Sequence, residues 1–118
     1  LYRHALRLEL RPGMRIAYAD QPELGADLTV PADVEKLNFC VVPALTRIGW
    51  LGEHGLAALS MRNAQGEDVL AHYLIERSSG LYTAQQMKLF MVTTNPAIAL
   101  TDCLLYAAAE VEHRLLEI

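Results

Sequence analysis

The run from Asn95 to Ile118 constrains the fold of this chain more than any other stretch. Leu100, Leu104, Ala108, Val111, Leu115 and Ile118 recur at steps of three and four residues, the spacing that lines up one face of a helix. Asn95 suits an N-cap and Pro96 the first helical position. Ile98, Leu105 and Leu116 widen the stripe, and Glu110 precedes Arg114 by one turn in the favourable order. The pattern predicts one amphipathic helix of about six turns, apolar enough to need a sheet or a second subunit against it.

The rest of the chain reads as strands. Tyr2, His4, Leu6, Leu8 and Leu10 alternate with Arg3, Ala5, Arg7 and Glu9, the period of a half-buried strand. Pro12–Gly13 supplies turn chemistry, and Met14, Ile16 and Tyr18 resume the alternation, so the first two strands are expected to form a hairpin. Residues 20–33, with two prolines and an acidic bias, read as a loop, with a helical turn after Pro31. Residues 37–42 (LNFCVV) read as a largely buried strand stopped by Pro43, and 44–50 (ALTRIGW) as a further one. Two apolar runs joined by NAQGE suggest a second hairpin, its later arm a central strand around His72. Residues 83–94 favour a strand over a helix. The expectation is α+β: an antiparallel, curled sheet of about five to seven strands covered by one long C-terminal α-helix, within one domain over residues 1–118.

Composition narrows the function. Fourteen acidic residues outnumber ten basic ones, for a net charge of −4, and the arginines are scattered, so nucleic acid is not an expected partner. No apolar run is long enough for a membrane span. Apolar residues make up 53% of the chain, above the usual share of about 45–50%. A small domain cannot hide such a surplus, which points to a homodimer or a small apolar ligand. Cys40 and Cys103 show no metal spacing. They read as two buried thiols in a reducing, cytoplasmic compartment, with no metal or cofactor expected. The opening residue is Leu1, the expected mark of a processed chain or an excised stretch.

The chemistry concentrates in residues 46–55 (TRIGWLGEHG), which hold the single tryptophan and an adjacent Glu53–His54 pair. His54 has the side chain suited to proton transfer near neutrality, and His72 sits inside an apolar run. No G-x-S-x-G nucleophile setting and no calcium-loop spacing occurs. The leading expectation is a non-catalytic ligand-binding or protein-interaction domain that self-associates. Its expected pocket lies between sheet and helix, takes a small apolar or anionic molecule, and is lined by Arg47, Trp50, His72, Tyr73, Met87 and Phe90. The alternative is a small acid–base enzyme, a lyase, isomerase or thioester hydrolase. It would use His54 or His72 with Glu53 nearby and Arg47 or Arg77 as an anion clamp. A third expectation is an assembly subunit without a ligand.

Overall fold

The computed structural model describes residues 2–90, 92–101 and 103–110. Ten strands are found there: β1 (Tyr2–Leu10), β2 (Ile16–Tyr18), β3 (Leu28–Val30), β4 (Val41–Val42), β5 (Arg47–Leu51), β6 (Leu59–Arg62), β7 (Leu74–Arg77), β8 (Gly80–Thr83), β9 (Met87–Phe90) and β10 (Leu105–Glu110). Two short helices, α1 (Leu70–Tyr73) and α2 (Pro96–Thr101), and two 3-10 turns, Ala32–Leu37 and Gly55–Ala58, complete them. The strands form two five-stranded sheets, ordered β4-β9-β10-β1-β6 and β2-β3-β5-β8-β7. All pairs are antiparallel except β2 with β3.

The α+β expectation is therefore overturned: this is a mostly β molecule, and no long C-terminal helix covers a sheet. The start signal was sound. The Asn95 Oδ1 accepts the Ala97 N–H at 2.9 Å, and α2 begins at Pro96. It ends at Thr101, and the residues expected to be its third and fourth turns become β10. The sequence of β10, LYAAAE, carries two periods at once. Leu105 and Ala108 suit a helical stripe while Leu105 and Ala107 suit strand alternation, and in the fold Leu105 and Ala107 are fully buried. Alanine's helix preference is worth at most about 1 kcal/mol per residue. A central strand gains two backbone ladders, here with β1 and β9, and an apolar face on the core. Residues 111–118, with Arg114 of the Glu110–Arg114 pair and the end of the expected stripe, lie outside the described residues.

The apolar faces of the two sheets meet in one core. Leu6 and Leu8 of β1, Leu59 and Met61 of β6, and Met87 and Leu89 of β9 oppose Leu28, Val30, Ile48, Leu74 and Leu81 of the other sheet, all at most 3% exposed. Each such side chain contributes roughly 1.5–3 kcal/mol on burial. About 10 Å³ of free space remains between Leu8, Leu28, Ile48, Leu81 and Leu105, less than one water needs in comfort. The pocket expected between sheet and helix has no counterpart there.

Three local expectations are corrected for identifiable reasons. Pro12–Gly13 does turn the chain, with the Met14 N–H donating to the Arg11 carbonyl. But both sides of β1 are taken by β10 and β6, so β2 crosses to the other sheet and no hairpin forms. In 37–42, Leu37 is consumed by the 3-10 turn, Phe39 and Cys40 are exposed, and only Val41–Val42 pair as a strand. Cys40 is thus not a buried thiol, whereas Cys103 is. After the NAQGE turn, the Asp68 carboxylate accepts the Met61 and Leu70 N–H groups. This bends the chain into α1 rather than a continuous strand, and β7 emerges at the edge of the second sheet, not its centre. The strand at 83–94 is found as β9, and the turn after Pro31 as the 3-10 segment. No helix among the described residues is long and apolar enough to cross a membrane.

Candidate functional site

Three surface features carry the residues singled out by the sequence. The first centres on Asp27, which immediately precedes β3. Its backbone N–H donates to the Arg15 carbonyl (2.8 Å), its carbonyl accepts the Gly52 N–H (2.9 Å), and its Oδ2 accepts the Arg15 N–H (2.8 Å). The remaining Oδ1 lies 2.7 Å from His54 Nδ1. The close approach that allows this depends on Gly52, where a Cβ would sit 2.2 Å from the Ala26 carbonyl oxygen. The Asp27 side chain is 12% exposed and that of His54 49%.

Electrostatics follow the geometry. The Arg15 N–H, and then the His54 contact, hold the Asp27 carboxyl below its ordinary value of 3.8. The hydrogen bond to Asp27 raises the His54 imidazole above 6.5, and the neighbouring Glu53 adds to the effect. With Nδ1–H donated to Asp27, Nε2 is left as the second exchange point of the ring. Beside the pair lies an open recess of about 500 Å³ walled by the 22–27 loop, Gly52 and Glu53. His54 is not part of that wall, and no serine, threonine or cysteine is. Glu76 of β7 reaches the same turn from the other side, its Oε1 2.8 Å from where a Cβ on Gly55 would stand.

The second feature is the outer face of the β2-β3-β5-β8-β7 sheet. An irregularity in register between Arg47 and Gly49 lets Arg47 and Trp50 share that face. The Arg47 guanidinium lies 4.7 Å from the centre of the Trp50 ring system, within cation–π range. The third is the 38–46 connection, where Phe39, Val41 and Leu45 are 68%, 48% and 54% exposed.

The other candidates are dispersed. His72 is exposed on α1 rather than held in a strand; its ring stands edge to face to Tyr73 at 6.5 Å, and its carbonyl accepts the Gln85 side-chain amide at 2.9 Å. Met87 is core. Phe90 lies on the outer face of the β4-β9-β10-β1-β6 sheet, stacked on Tyr106 at 5.9 Å. Arg47 joins Trp50 and is not part of the recess wall beside Asp27, and Arg77 lies at the β7–β8 turn. Asp27 was missed because it stands in a loop that reads as solvated acid, with no spacing that links it to His54. Among the described residues no group of three or more metal-ligating side chains converges. Comparison with protein-family models, with curated proteins and with solved structures finds no match to this chain.

Proposed function

We propose that this chain is a non-catalytic interaction module that self-associates, and that the 38–46 connection is the contact surface. One observation carries the reading: Phe39 and Leu45, two large apolar residues, each hold a backbone φ of +64° while exposing their side chains to water. An L-residue in that region costs about 1–2 kcal/mol, which glycine would avoid. Neither side chain returns the cost by filling the core. Burial against a partner supplies the missing gain. Among the described residues five large hydrophobics are exposed, and three of them, Phe39, Val41 and Leu45, lie in this one connection.

The local backbone favours side-chain contact over strand addition. β4 is an edge strand of two residues closed by Pro43, the short, proline-stopped kind that resists pairing with another chain. An apolar patch is self-complementary about a twofold axis, so a second copy is the simplest occupant. Measuring mass by sedimentation across a dilution series tests this. A dimer that dissociates on dilution, and is lost in Phe39→Asp, supports it; a monomer at every concentration refutes it.

A second reading is proton transfer at His54, favoured by the 2.7 Å contact with an anchored Asp27. Here His54 Nε2 would exchange the proton and Asp27 would orient the ring, with Glu53 at the margin. It ranks second because no arginine side chain forms part of the recess wall as an anion clamp. An NMR titration of His54 that responds to added small anions would raise it; an indifferent titration would leave Asp27–His54 as a tie between loops.

A further inference from the structure

We infer that the outer face of β5, β8 and β7 is a separate binding surface for an acidic protein segment in extended conformation. The register places Trp50, Gly80 and Arg77 in one row across the three strands and Arg47, Tyr82 and Ile75 in the next. Directly paired residues share a face, so two arginines and two aromatic rings stand together. Gly80 makes the surface flat: a Cβ there would lie 2.6 Å from Tyr82 Cε1, so the tyrosine ring is laid over the glycine. Arg47 covers Trp50 in the same way. Trp, Tyr and Arg are the residue types that dominate binding energy at protein interfaces.

Charge identifies the occupant. The chain carries four more carboxylates than cations, yet among the described residues no carboxylate pairs with Arg47 or Arg77. An anionic partner would complete them through paired hydrogen bonds. Across two strand spacings and one row, their Cα atoms stand roughly 12 Å apart. That is three or four residues of extended chain at about 3.3 Å each, so carboxylates at that spacing fit, with apolar residues between them on Tyr82 and Trp50. A polyanion such as single-stranded nucleic acid fits less well. The Thr29 hydroxyl, beside Trp50, is taken by the backbone N–H of Glu23, so the face ends at Trp50 and, among the described residues, offers only Arg47 and Arg77 as cations, too few for a chain charged at every unit.

Trp50 is the only tryptophan, so its fluorescence reports on this face alone. The probe is a short acetylated peptide with glutamates four residues apart, a phenylalanine midway between them on the same face, and serine at the intervening positions, titrated at low salt. The expected result is a saturable change in Trp50 emission that weakens with salt and falls roughly tenfold in affinity in Arg47→Gln or Arg77→Gln. Phe39→Asp, which removes the proposed self-association, is expected to leave it unchanged, so the two surfaces fail separately. Equal binding of the glutamine version of the peptide, tighter binding of oligothymidylate, or no response to the peptide would each overturn the assignment.

Discussion

The Asp27–His54 locus and the 38–46 connection are both surface loops, and they use free energy in opposite ways. At Asp27 every polar group finds a partner within the chain: a backbone donor, a backbone acceptor, and both carboxylate oxygens engaged. At Phe39 and Leu45 the backbone is strained and the side chains find no shelter. The first has the signature of a locus built to hold the fold, and the second of a locus whose compensation comes from outside it. A contact that looks catalytic can thus be structural, while a stretch with no polar chemistry can be the functional one.

Substitutions sharpen this contrast, beginning with the largest effect. Gly52→Ala drives a methyl into the Ala26 carbonyl and should destabilise by about 3 kcal/mol, measured by urea unfolding; a loss below 1 kcal/mol would show that the 26–52 approach relaxes freely. Asp27→Ala removes the acceptor of both the Arg15 N–H and the His54 ring. It should lower Tm clearly, without altering oligomeric mass. If mass changes while Tm does not, the roles given to the two loci are exchanged.

A smaller effect appears in the pH dependence. Asp27 titrates below 3.8 in the folded chain, so its stabilisation is present above that pH and is lost as pH falls through the lowered value. His54 titrates above 6.5, so its contribution is full below 6.5 and fades as pH rises through the raised value. The pair therefore helps most between 3.8 and 6.5. The Tm gap between the parent and His54→Gln should be widest near pH 5.5 and narrow toward pH 8. A gap independent of pH would remove the ion-pair account of this contact.

How far the sequence reveals the fold is clearest in two neighbouring strands. β1 was legible because its polar residues, Arg7 and Glu9, admit only a two-residue period beside Leu6, Leu8 and Leu10. β10 was not, because alanine fits either period and the choice is made by the strands on each side of it, far away in sequence. The same holds for sites. Arg47, Trp50 and His54 were visible as residue types in one short stretch, and two of them do meet. Asp27 and Tyr82 were invisible, since what matters is a pairing across the fold: Asp27 with His54, and Tyr82 with Gly80. Phe39 carried a misleading signal. An apolar residue between Leu37 and Val42 reads as core, but in the fold Phe39 is exposed and its backbone takes a positive φ.

The most direct test of the central claim is a paired measurement on Phe39→Gly, of Tm and of mass over a dilution series. Glycine relieves the left-handed backbone and removes the exposed ring. At concentrations where the parent is itself monomeric, the account predicts stability equal to or up to about 1 kcal/mol above the parent, together with loss of the dimer at the concentrations where the parent associates. A variant that is clearly less stable, or one that associates as the parent does, would contradict it.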